Sequence, residues 1–126
     1  MDTSALAKLV VAEPESEPLE RFMQSRPEWI SSIVTSIELR RFARRLSRPE
    51  SITIADQILA RIDLRPLDAA TAAKASEMPP PSLRSLDAIQ LASALDVGDA
   101  LGPFITYDRR LGEAASRAGL HVVAPA

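Results

Sequence analysis

Short apolar segments that pass almost at once into helix starts are what most constrain this chain. Segments of that kind, separated by helical stretches, predict parallel strands with helices on both faces. In such a sheet every strand-to-helix turn falls along one edge, the edge where open α/β proteins bind their ligands. Four acids stand at expected helix starts: Asp2 in MDTSAL, Glu38 in TSIELRR, Asp87 in SLDAIQLA and Asp108 in ITYDRRL. Three of them follow an apolar stretch short enough to be a strand, or a short loop after one. The fold therefore has the means to gather four carboxylates from distant parts of the chain.

Residues 3–12 read as an Ala- and Leu-rich helix, and 15–25 as a second, restarted by Pro14. Trp29 to Thr35 is a strand ending in IVT. Residues 36–47 form an arginine-rich helix, interrupted by Pro49, and 50–62 a further helix. Leu64 to Leu67 is a weak strand, with Pro66 placing it at an edge. Residues 68–77 are helical and are stopped by Pro79, Pro80 and Pro81. A helix over 85–97, a strand over 103–107, a helix over 109–118 closed by Gly119, and a strand over 121–123 complete the reading. Nothing repeats, and 126 residues suit one domain. One element is missing: an apolar strand belongs ahead of Asp2, and only Met1 stands there. A first strand absent or truncated is the expectation, with the free amino group near the acids and competing with a metal for them.

Composition removes several classes of function. There is no Cys and a single His, so thiolate and histidine zinc sites are out of reach. No apolar run approaches the roughly 20 residues of a membrane span, and no secretory leader is visible; a cytoplasmic location is expected. The net charge of −2 supplies no global basic field for nucleic acid. The charges are uneven, however. Arg40, Arg44 and Arg48 lie at i, i+4 and i+8, which puts them on one helix face. They suit phosphate or an acidic partner as well as plain solvent.

Each acid also has a structural explanation. Asp2 and Asp108 suit helix caps, Thr35 with Glu38 matches a capping box, and Asp87 two residues after Ser85 complements a helix dipole. Together, on one sheet edge, uncompensated carboxylates call for a hard divalent cation, for which Mg²⁺ and Mn²⁺ are suited. Ser4 and Thr3 either assist Asp2 or stabilise the helix start. Thr106 lies two residues before Asp108, on the same side of a strand, and is read equally as a support for the site or a strand threonine. His121 reads as packing or surface. No phosphate-binding glycine loop, zinc-binding HExxH or nucleophile elbow is present.

The stretches DTSALAKLV (2–10), TSIELRRFARR (35–45), SLRSLDAIQLASAL (82–95) and FITYDRRLGEAASRAG (104–119) resemble the PIN-domain ribonucleases, and among them the VapC-type toxins of bacterial toxin–antitoxin pairs. The resemblance spans nearly the whole chain. It implies a three-layer α/β/α domain with a short parallel sheet, and Mg²⁺- or Mn²⁺-dependent hydrolysis of RNA. It implies Asp2, Glu38, Asp87 and Asp108 as the acidic quartet, with Thr106 in support. It implies a homodimer and a small cognate antitoxin whose tail crosses the groove near the acids, often aiming an arginine at them. Two other readings stand beside it: an aspartyl-phosphate phosphotransfer domain centred on Asp2, which lacks a well-placed lysine, and a non-catalytic PIN-like binding module.

Overall fold

Every strand expected from the sequence is present, and every one is shorter than expected. The computed structural model describes residues 1–126. In chain order they form α1 (Thr3–Val10), α2 (Ser16–Gln24), β1 (Ile30–Ser32), α3 (Ile33–Arg45), α4 (Pro49–Leu59), β2 (Asp63–Arg65), α5 (Ala69–Ser76), α6 (Ser85–Val97), a 3-10 turn (Gly98–Ala100), β3 (Phe104–Ile105), α7 (Arg109–Arg117) and β4 (Val122–Val123). β1 is cut short because Ser32 is extended and its hydroxyl accepts from the Val34 amide, starting a helix three residues before the expected box. Thr35 therefore lies inside α3, not at its cap. At the other end α3 stops at Arg45, and Ser47 turns the chain with a positive φ of 53°.

The strands pair in parallel as two separate couples, Ile30–Ser32 against Asp63–Arg65 and Phe104–Ile105 against Val122–Val123. Between the couples lies the place that the sequence leaves without a strand, and the first two residues occupy it. The Met1 amine donates to the Ile30 carbonyl at 2.9 Å, and the Ser31 hydroxyl donates to the Met1 carbonyl at 2.6 Å. The Asp2 amide donates the other way, to the Ile105 carbonyl at 3.1 Å. Successive residues of extended backbone face opposite neighbours, so this pair ties β1 to β3. The spatial order is β2, β1, residues 1–2, β3, β4.

Alternation along β3 also divides the interior. Ile105 joins one core with Met1, Ala5, Leu6, Leu19, Leu39, Ala43, Ala55, Leu59 and Ile62. Phe104, one residue earlier and on the other face, packs with Leu91, Leu111, Ala114 and Ala115. Helices α1 to α4 thus fill one side of the sheet, and α6 and α7 the other, which makes the three layers. No helix is long and apolar enough to cross a membrane.

Candidate active site

Asp2 caps α1 from the seam between the two strand pairs. Its carboxylate accepts from the Ala5 amide at 3.1 Å, from the Ser4 hydroxyl at 2.8 and 2.9 Å, and from the Thr106 hydroxyl at 2.8 Å. The residue is 4% exposed and makes no ion pair with a side chain. Burial raises its pKa above the ordinary aspartate value, and the bonds from Thr106, Ser4 and Ala5 only partly offset this. A carboxylate in this state gains most from a cation. The Met1 amino group lies near enough for its charge to lower the Asp2 pKa, but its hydrogen bond goes elsewhere. It donates to a carbonyl, and burial lowers its pKa to about 6.

Thr106 and Ser4 tie the end of β3 to the start of α1. The Thr106 hydroxyl accepts from the Asp108 amide at 3.1 Å, and the Ser4 hydroxyl accepts from the Tyr107 amide at 2.9 Å. Asp108 in turn caps α7 by accepting from the Leu111 amide at 3.0 Å through Oδ1. The Asp2 carboxylate and the Asp108 backbone amide thus share one threonine, which lies just past the end of β3.

Glu38 comes in from α3, well past the helix start. Its Oε1 accepts from the Thr3 hydroxyl at 2.7 Å and lies 3.3 Å from Gln90 Nε2. Thr3 therefore supports Glu38, not Asp2. Gln90 was not singled out in the sequence, yet it is the hub here. Buried on α6, its amide donates to Thr35 Oγ1 at 2.6 Å and lies 3.3 Å from Thr3 Oγ1. Its signal was available: Gln90 is one helical turn from Asp87, on the same face. We expect Gln90→Leu to free Glu38 and to lower turnover about tenfold, as loss of an orienting partner does. Turnover at saturating Mn²⁺ checks this; an unchanged rate would rule out an orienting role.

Asp87 and Asp108 meet through Arg84, which the sequence reading also passed over. Arg84, not Ser85, precedes the first turn of α6, and no side chain caps that helix. The Arg84 Nε donates to Asp87 Oδ2 at 2.8 Å and Nη2 to Asp108 Oδ2 at 2.9 Å. No three acidic or histidine side chains stand close enough, as arranged, to hold one ion. Their oxygens are taken by hydroxyls, by Gln90 and by this guanidinium. The donor set is nevertheless all oxygen and anionic, the chemistry that Mg²⁺ or Mn²⁺ requires. A guanidinium already bridges two members, and a third is buried without a cationic side chain. The residues fit a hard cation that draws them together.

The arginine face is broken. Arg40 and Arg44 lie on α3, but Arg48 does not; it precedes α4 beyond the Ser47 turn, so the three do not share one helix face. Arg40 Nε pairs with Asp56 at 2.7 Å, whereas Arg44 and Arg48 are exposed and form no ion pair. His121 is exposed, and its carbonyl accepts from the Phe104 amide. The phosphotransfer reading loses ground because Lys8 is held by Glu13 and Glu15, and Lys74 by Asp96. Neither lysine reaches Asp2, whose carboxyl is buried.

Residues 1–116 match the model of the PIN domain family. The chain is 44% identical to Ribonuclease VapC35 of Mycobacterium tuberculosis over 129 aligned positions, covering 99% of this chain and 95% of that protein. It is 40% identical to Ribonuclease VapC46 of the same organism, with the same coverage. In structure it is similar to Mycobacterium tuberculosis VapC20, described as a toxin that cleaves the sarcin–ricin loop, with a TM-score of 0.78 over 98% of this chain and 97% of that one at 19% identity.

Proposed function

The chain belongs to the PIN-domain family, and from that premise we propose that it is a divalent-metal-dependent endoribonuclease, the toxin of a toxin–antitoxin pair. One observation carries the site assignment. Acids separated by up to 106 positions are linked in two sets: the Thr106 hydroxyl bonds the Asp2 carboxylate and the Asp108 amide while Arg84 joins Asp108 to Asp87, and Gln90, one turn from Asp87 on α6, reaches Glu38 together with Thr3, the residue next to Asp2. Asp2, Asp87 and Asp108 are the residues to hold Mg²⁺ or Mn²⁺, and Glu38 the one to orient the attacking water. A divalent ion bound there supplies a more acidic water and offsets charge on the phosphate. Thr106 and Ser4 aim Asp2, and the α7 cap fixes Asp108 Oδ1 so that Oδ2 faces the site.

Hydrolysis of this kind leaves 5′-phosphate and 3′-hydroxyl ends and makes no use of the ribose 2′-hydroxyl. The decisive experiment is cleavage of a total RNA pool with and without Mg²⁺ by the wild type and by Asp87→Asn, with the ends mapped. Full activity in Asp87→Asn, or 2′,3′-cyclic phosphate products, would end the reading.

Exposed Ile33 and Ile37 lie on one face of α3 beside Glu38, and exposed Leu86 lies beside Asp87 on α6. Helices α3 and α6 touch. This apolar rim suits the cognate small antitoxin, whose apolar segment would cover the rim and the acids together. A homodimer and a cytoplasmic location complete the proposal and rest on family membership. Of Arg40, Arg44 and Arg48, Arg40 is engaged by Asp56 while the other two are exposed and unpaired, and Arg44 is the one to test against RNA backbone. Arg44→Ala in an Asp87→Asn background is expected to reduce the slope of log affinity against log salt by about 0.7, the value for one single-strand phosphate contact. An unchanged slope would remove Arg44 from the RNA path.

A further inference from the structure

Arg84 is the one basic side chain that pairs with the acidic quartet, and the functions assigned above leave it without a task. Its guanidinium uses different nitrogens for Asp87 and Asp108, a geometry that a planar fork provides and an ammonium does not. The contact falls on the Oδ2 atom of each aspartate. For Asp108 this is the oxygen left over, because Oδ1 is committed to the Leu111 amide. A metal ion and Arg84 therefore need the same atom. Arg84 also has somewhere to go. Its side chain is 68% exposed, and it borders an open cavity of about 450 Å³ whose wall also carries Asp87, Arg110, Glu113 and Arg117. With the guanidinium open to solvent, although Asp87 and Asp108 are only 16% and 25% exposed, pairs of this kind are weak enough to exchange.

We propose that Arg84 is a positioning residue that acts as the resident counter-cation of Asp87 and Asp108. It keeps the two carboxylates together while no divalent ion is bound, and it is displaced into the neighbouring cavity when one arrives. The proposal rests on the reading of these aspartates as metal ligands. Its consequence is a weakened affinity: the ion must outcompete a tethered guanidinium, so half-loading shifts to a higher ion concentration by a constant factor.

Electron paramagnetic resonance of free and bound Mn²⁺, without RNA, tests this on the wild type, Arg84→Gln, Arg84→Lys and Asp87→Asn. Arg84→Gln should bind Mn²⁺ about three- to tenfold more tightly, the scale of two exposed ion pairs. Arg84→Lys, which keeps the charge but cannot bridge, should fall between it and the wild type. Equal or weaker binding by Arg84→Gln, with binding lost in Asp87→Asn, overturns the proposal and leaves the metal site standing. Unaltered binding in Asp87→Asn overturns the site reading itself. A second measurement does not depend on a folded variant. The Arg84 Nε–H resonance of the wild type should shift on addition of Mg²⁺ and follow its binding curve, and a resonance unmoved at saturation also overturns the proposal.

Discussion

Asp2→Asn is expected to lower RNA cleavage by about three orders of magnitude, which corresponds to about 4 kcal/mol of barrier, while raising the melting temperature of the metal-free protein. The two effects have one cause. Asp2 is buried among neutral donors, and desolvation lifts its pKa above the ordinary value. An acid with a raised folded pKa contributes stability while protonated and loses it as the pH rises through that pKa. At neutral pH, without metal, the folded state carries that penalty. Asn keeps the cap on α1, and the Ser4 and Thr106 hydroxyls can accept from its amide as readily as they donate to the carboxylate. Relief of that penalty raises the midpoint of the metal-free protein. Thermal melts at pH 7 with chelator, and again with Mg²⁺, separate the parts. The wild type should gain stability from Mg²⁺ and Asp2→Asn should not. A variant that melts lower than the wild type in chelator would show that the hydrogen bonds to the carboxylate outweigh its desolvation.

Leu39→Ala is expected to destabilise the fold by about 3–4 kcal/mol, within the range for a fully buried leucine and a large part of the roughly 5–15 kcal/mol that holds a domain folded. Leu39 is completely buried in the core that α1, α3 and α4 share. Two residues away on the same helix Ile37 is 59% exposed, and Ile37→Ala should change stability by less than about 0.5 kcal/mol. Between them stands Glu38, so three successive positions of α3 serve the rim, the acids and the core. Urea denaturation of both variants measures the contrast. Equal midpoints would mean that α3 is not seated as described. Because the core sets how α3 presents Glu38, Leu39→Ala should also lose activity on warming well before the wild type does.

Much of this was legible in the sequence wherever the cause is local. Asp2 and Asp108 were read as caps because a short acid before a helix bonds its own backbone. The order of strands and helices followed from apolar segments alternating with helical ones. Thr35 lies inside the helix because Ser31, Ser32, Thr35 and Ser36 offer several overlapping starts, and the chain takes Ser32, three residues ahead of the expected cap. The strands were overextended because two or three residues carry almost no period to read. Arg48 was put on the wrong element because a positive φ at a serine has no sequence signature, although Pro49 marks a first helical turn. The contacts of Arg84 and Gln90 are hidden for another reason, even though Gln90 shares a helix face with Asp87. Their partners lie 24 positions away at Asp108 and 87 away at Thr3, and nothing local announces such contacts.

The two-residue link between the strand pairs has a consequence for how the molecule fails. Glu38 belongs to the half built on β1, and Asp108 to the half built on β3. Asp87 rides on α6, which touches both β1 and α7, and Asp2 is the hinge pin between them. Prising that pin loose would part the charged groups and open the core that Met1 and Ile105 share with α1 to α4. Loss of cutting power is therefore expected to accompany the first loosening of that core.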